Sequence, residues 1–163
     1  MTHVYVIRHA KAKDREKWLE PDDLRPLTKA GLRQAKALPA RFGDVPFWRL
    51  LSSPATRCVQ TLEPLAEATG VAIEISDDLM EGSTAARALA LALPLAADGP
   101  VAMCTHGDVL VDTLVELRSL GVPLGGALEW RKGSTWVLEV DGTDVRAGRY
   151  LEPPDVARKA DER

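Results

Sequence analysis

Apolar positions along the chain fall into two kinds of pattern that alternate with one another. Short, nearly continuous apolar runs occur at His3–Ile7, Trp48–Ser52, Val71–Ile75 and Pro100–Thr105. Their length and β-branched content predict strands, and runs without a polar alternate face predict strands buried on both sides. Between them the apolar positions recur at helical spacing. Leu32, Ala35, Leu38 and Phe42 follow Thr28, a good N-cap, and stop at Gly43. Pro54 is expected in the first turn of a helix that reaches Thr69 and stops at Gly70. Ala85–Ala97 predicts a third helix, and Val109, Leu110, Leu114, Leu117 and Leu120 line a fourth that ends at Gly121. Two further strands, Thr135–Val140 and Val145–Tyr150, flank a turn at Asp141-Gly142. The stretch Arg8–Arg25 is charged and non-periodic, and predicts a long loop.

Strand and helix in alternation predict an α/β fold, a three-layer α/β/α sandwich around a mostly parallel central sheet. With no repeat or low-complexity linker, residues 1–151 read as one domain and 152–163 as a charged, flexible C-terminal tail. Composition agrees, with 45% hydrophobic and 28% charged residues in 163. The net charge of −3 argues against a nucleic-acid binder, which needs a basic surplus. No apolar stretch is long enough to span a bilayer, and the start of the chain lacks a basic segment followed by an apolar one. With Cys58 and Cys104 isolated and read as reduced thiols before a single disulfide, the expectation is a cytoplasmic protein, monomer or homodimer.

Chemistry enters through the strand ends. In parallel sheets the ligand site lies at the carboxyl ends of the strands. Here those ends carry Arg8-His9, Ser52-Ser53 with Arg57 beyond, and Thr105-His106-Gly107. Two arginines and two of the three histidines therefore converge on one rim. Guanidinium forks match phosphate oxygens, neutral imidazole is a competent nucleophile, and a helix start after His106 favours an anion. No Gly-rich nucleotide loop is present. A metal centre on His9, His106 and carboxylates is disfavoured, because both arginines would repel the cation.

The motifs carrying this chemistry have a family likeness. Val6-Ile7-Arg8-His9-Ala10, then Arg25-Pro26-Leu27-Thr28 with Gly31 and Gln34-Ala35, resemble the opening of the histidine phosphatase, or phosphoglycerate-mutase-like, superfamily. Ser53-Pro54-Ala55-Thr56-Arg57 with Gln60-Thr61 resembles its second motif and Thr105-His106-Gly107 its third, in family order. The length is similar to that of the short SixA-type branch. Arg57–Leu65 and Arg131–Leu138 also resemble the phosphatase domain fused to some MutT-type Nudix hydrolases.

The resemblance implies a phosphatase that needs no metal or other cofactor, with His9 carrying the phosphoryl group as a phosphohistidine. Arg8, Arg57 and His106 would hold the phosphoryl oxygens, and Ser53, Arg25 and Lys11 would contribute to substrate binding. Glu81 stands where the family often carries its proton donor, with Asp77, Asp78 and Asp108 as rivals. The implied substrate is a small phosphorylated metabolite, a nucleotide-derived phosphate or a protein phosphohistidine. Ala10 stands where the family has Gly, and the mutase branch's Asn has no counterpart in Lys11–Trp18. The alternatives are a phospho-ligand binding module without catalysis and, behind it, a phosphoglycerate mutase. Lys11, Lys13, Arg15 and Lys17 could steer anions or form a plain solvated loop, and Trp18 is the tryptophan placed to cover a substrate. His3 is expected on an edge strand with no role at the site.

Overall fold

The computed structural model describes residues 1–156. Six strands form one sheet in the order β3-β2-β4-β1-β5-β6. They are β1 (Thr2–Arg8), β2 (Arg49–Ser52), β3 (Ile73–Ile75), β4 (Val101–Thr105), β5 (Thr135–Asp141) and β6 (Asp144–Leu151). The helices are α1 (Lys29–Phe42), α2 (Thr56–Thr69), α3 (Ala85–Ala96) and α4 (Gly107–Ser119). The first four strands pair in parallel, while β5 runs antiparallel to β1 and β6 antiparallel to β5.

Burial on both faces explains the unbroken apolar runs. Along β1, Val4 and Val6 face a core with α3 and α4, whereas Tyr5 and Ile7 face one with α1 and α2. β4 repeats the division, Val101 and Met103 against Ala102 and Cys104. Side chains alternate faces along a strand, so a strand sandwiched between helices must be apolar at every position. On α3 the buried stripe is Ala85, Ala88, Ala92 and Ala96. Small side chains at that spacing form one face of a helix and let it approach its neighbours closely. Among the described residues no helix is long and apolar enough to cross a membrane.

Several local expectations are corrected. α2 begins at Thr56, two residues beyond Pro54, with Ala55 as its N-cap. Leu32 is exposed and Gly31 takes its buried place on α1, because the carbonyl of Lys11 crosses there. Leu120 caps α4 in solvent rather than lining it. The hairpin turn is Gly142-Thr143, with Gly142 supplying the positive φ (+64°) at its first central position. His3 lies on an interior strand, opposite Glu139. The long loop after β1 contains two one-turn 3-10 segments, Arg15–Lys17 and Asp22–Leu24. Of the expected C-terminal tail, the Glu152 carbonyl accepts a hydrogen bond from Arg41 and Pro154 is buried; residues 157–163 lie outside those described.

Candidate active site

The carboxyl ends of β1, β2 and β4 meet on one edge of the sheet, and the antiparallel pairing of β5 brings its beginning there too, since Thr135 pairs with Ile7. A cavity of about 1180 Å³ opens on this edge. Arg8, His9, Lys11, Arg25, Glu81 and His106 all line it. Ser53 and Arg57 do not; they are fully buried and act on the lining groups.

His9 is held firmly. Its amide donates to the Thr105 carbonyl (3.1 Å), tying the end of β1 to the end of β4. Its Nδ1 lies 2.8 Å from the Ala10 carbonyl, which can only accept. Nδ1 therefore carries the hydrogen, and Nε2 keeps its lone pair. Burial is the main cause that pushes the His9 pKa down to about 3, opposed by the Ala10 hydrogen bond and reinforced by His106, Arg57 and Arg8. The imidazole is thus neutral at ordinary pH. The Ala10 amide donates to Thr61 Oγ1 (3.0 Å), and that hydroxyl donates to the Arg57 carbonyl (2.7 Å), so α2 and the histidine loop are coupled. Ala10 has no positive φ, so its methyl is accommodated without backbone strain.

His106 is the N-cap of α4, and its ring stands edge-to-face with His9, centroids 5.5 Å apart. Arg57 Nη2 lies 3.3 Å from its Nδ1 and Ser53 Oγ 2.8 Å from its Nε2. A guanidinium only donates, so Nδ1 accepts and Nε2 donates to Ser53. Ser53 is therefore a support for His106, buried behind it, rather than part of the cavity wall. Cys58 Sγ lies 3.6 Å from the same Nε2, and both Cys58 and Cys104 are free and buried.

Arg57 is wholly buried and reached by acids from two loops. Its Nη1 donates to the Asp22 carbonyl (2.8 Å) and its Nη2 to Asp22 Oδ2 (3.1 Å), with Glu81 Oε2 at 3.5 Å. Arg8 donates from Nη1 to the Trp130 carbonyl (2.7 Å) and packs its guanidinium flat on Gly107. A Cβ at Gly107 would meet Arg8 Cζ and Nη2 at 2.7 Å. The Nε atoms of Arg8 and Arg57 are both buried with no hydrogen-bond partner. Arg25, also buried, pairs with Asp22 Oδ1 (2.9 Å) and donates to the Lys13 carbonyl (2.6 Å).

Of the four acids considered as proton donors, Glu81 and Asp108 line the cavity, while Asp77 and Asp78 do not. Asp78 is engaged by Arg87 (3.0 Å). Glu81 takes Arg15 on Oε1 (2.9 Å) and faces Arg57 with Oε2. Asp108 accepts from the Gly82 and Val109 amides, each at 2.8 Å. Trp18 donates to the Pro21 carbonyl and is absent from the cavity wall, where Trp130 stands instead.

Trp130, Lys132 and Asp22 are site residues that motif reasoning missed. The signal for the first two was the glycine turn before β5. Gly133, at φ +84°, donates its amide to the Arg8 and His9 carbonyls (3.1 and 3.0 Å), which clamps that turn onto the end of β1. Gln34 and Gln60 complete the support, accepting from the Lys11 amide (3.0 Å) and the Leu27 amide (2.8 Å). Among the described residues no group of three or more His, Cys, Asp and Glu side chains is placed to hold a metal ion.

Comparison with known proteins adds three findings. The sequence profile of the histidine phosphatase superfamily (branch 1) matches residues 4–85. An 8-oxo-(d)GTP phosphatase from Mycolicibacterium smegmatis is 34% identical over 160 residues, covering 93% of this chain and 48% of the relative. The chain thus spans about half the length of that curated relative. Among solved structures, the protein histidine phosphatase SixA complexed with tungstate superposes with a TM-score of 0.71 at 20% identity, covering 93% of this chain and 95% of that one. A mycobacterial glucosyl-3-phosphoglycerate phosphatase with VO3 gives 0.68 at 17% identity, covering 92% and 97%. At these identities the structural likeness speaks for the fold alone.

Proposed function

The chain belongs to the histidine phosphatase superfamily, and on that premise we propose that it is a metal-independent phosphatase working through a phosphohistidine on His9. The observation that carries this reading is the state of His9, a neutral imidazole at a cavity wall with Nδ1–H bound to the Ala10 carbonyl and a lone pair left on Nε2. Nε2 attacks phosphorus, the P–O bond to the leaving group breaks, and water then attacks the N–P bond to release orthophosphate. Charge on the transferred group is met by Arg8, which lines the cavity and whose buried Nε–H lacks an acceptor that a phosphoryl oxygen would supply, with the Arg57 guanidinium adding its charge from behind His106. His106, which lines the cavity beside His9, joins them at the anion.

An alkoxide leaving group needs a proton, and Glu81 is the donor we assign, with Asp108 second because both its oxygens accept backbone amides. Lys11 and Arg25 line the approach. The substrate classes this supports are phosphorylated small molecules, nucleotide-derived phosphates and protein phosphohistidine. A nucleotide is favoured by the relative named as an 8-oxo-(d)GTP phosphatase. The test uses a labelled phosphomonoester in the presence of a chelator. Wild type should form an acid-labile, alkali-stable protein adduct, and His9→Ala should lose both adduct and turnover. Full turnover by His9→Ala overturns the mechanism.

A further inference from the structure

The cavity wall carries two lysines that the transferred phosphoryl group does not account for. Lys11 and Lys132 both line it, and among the described residues neither ammonium group has an ion-pair partner. They are neighbours by construction. The turn holding Lys132 is clamped to Arg8 and His9 through the Gly133 amide, and Gly133 packs on Gln34, which holds the Lys11 amide. The exposed Lys132 amine lies below its ordinary pKa, first through partial desolvation and then through Arg8, Arg25, Lys11 and Arg15, all of them cations. Lys11 and Lys132 are converging like charges with no carboxylate paired to either, a repulsion that a bound anion relieves. The cavity is also far larger than one phosphoryl group, at about 1180 Å³ against roughly 300–1,000 Å³ for ordinary small-molecule sites.

We propose that Lys132, with Lys11 beside it, forms a second anionic subsite that holds the leaving group, and that the substrate is an organic diphosphate whose terminal phosphoryl group passes to His9. The inference rests on the reading of His9 as nucleophile. Nε2 forms a bond to the terminal phosphorus, and the bond from that phosphorus to the bridging oxygen breaks. The bridging oxygen keeps the electron pair and becomes a terminal oxygen of an organic monophosphate paired with Lys132. Water then attacks the phosphohistidine, the N–P electron pair returns to Nε2, and orthophosphate and one proton leave.

The acids at the site fit this substrate. A phosphate monoester has its second pKa near about 6, so it departs as an anion at neutral pH and needs no proton donor. Glu81, the donor assigned for an alkoxide, is therefore not required for this leaving group, and both oxygens of Asp108 are already engaged by amides.

The test compares matched pairs, guanosine mono- and diphosphate and isopentenyl mono- and diphosphate, in chelator. The two pairs separate a nucleoside source from an isoprenoid one, and preference for either diphosphate over its monophosphate supports the subsite. Losing a charge-assisted contact corresponds to roughly a tenfold effect or more, so Lys132→Gln should lower the diphosphate-to-monophosphate ratio of kcat/KM by about that factor. Lys132→Arg should retain it, and Glu81→Gln should slow the monophosphates more than the diphosphates. A ratio unchanged in Lys132→Gln overturns the subsite. On wild type alone, inorganic pyrophosphate should inhibit at lower concentration than orthophosphate, and equal inhibition also overturns it. Monophosphate turnover without any diphosphate preference removes the subsite and leaves the His9 mechanism standing. No adduct on His9 with any substrate removes the mechanism itself.

Discussion

Desolvation decides what His9 can do. An exposed imidazole would be half protonated near pH 6.5, and a protonated nitrogen is no nucleophile. Burial and three nearby cationic or imidazole groups hold the His9 pKa down to about 3. In the phosphate-free protein the ring resonances of His9 should therefore show no titration between pH 5 and 8, with the hydrogen on Nδ1. An NMR midpoint near 6.5 would refute the picture. The sign for stability follows. Between about pH 6.5 and 3 the unfolded chain binds a proton at this position that the folded chain refuses, so stability falls as pH falls, by about 1 kcal/mol per pH unit for this group. Denaturant midpoints measured from pH 7 to pH 5 should decline less steeply in His9→Gln than in wild type.

At the scale of elements, two glycines on helix starts do different work, and substitution separates them. At Gly31 an added Cβ would lie 2.0 Å from the backbone carbonyl oxygen of Lys11, which also accepts from the Thr28 amide. Backbone cannot step aside, so Gly31→Ala should force α1 off the loop and destabilise the fold by about 2–3 kcal/mol. At Gly107 the Cβ would meet the guanidinium of Arg8, the mobile end of a side chain. Gly107→Ala should leave the melting temperature within a few degrees of wild type and cut kcat by about tenfold or more, by displacing a group that meets transition-state charge. A Gly107→Ala protein with undiminished kcat would show that Arg8 is not held there for chemistry.

These elements also mark what the sequence could reveal. The strands β1, β2 and β4 were legible because burial on both faces makes them apolar throughout, and their ends named Arg8, His9, Arg57 and His106. The placement of Leu32 failed because helical periodicity knows nothing of a carbonyl crossing at Gly31. Trp130 and Lys132 were missed because they reach the site through the antiparallel pairing of β5 with β1, a long-range choice whose one local trace is the turn at Gly133.

For the molecule as a whole, the least legible part is the segment between β1 and α1, charged and without period, and one carboxylate does much to fix it. Asp22 pairs with Arg15 (3.4 Å), Arg25 (2.9 Å) and Arg57 (3.1 Å), which joins the loop to itself and to the core helix α2. Partial burial opposes its ionisation, but the Arg25 hydrogen bond and the three guanidinium charges hold its carboxyl below the usual range. The stabilisation is therefore present above the unfolded carboxyl pKa and is lost as pH falls below it. Asp22→Asn keeps the shape and removes the charge. Amide hydrogen exchange in residues 11–27 should accelerate by about tenfold in that variant at pH 7, while β1 and β4 amides keep their protection. The difference between variant and wild type should shrink as the pH falls through the lowered pKa of Asp22, because protonation then removes the charge from the wild-type side chain as well. Equal exchange at pH 7 would mean that the loop is held by its backbone contacts, such as the Lys13 amide on the Pro26 carbonyl, and not by charge. Acceleration spreading into β1 would mean instead that the loop and the sheet open as one unit, so that the site cannot loosen without the fold.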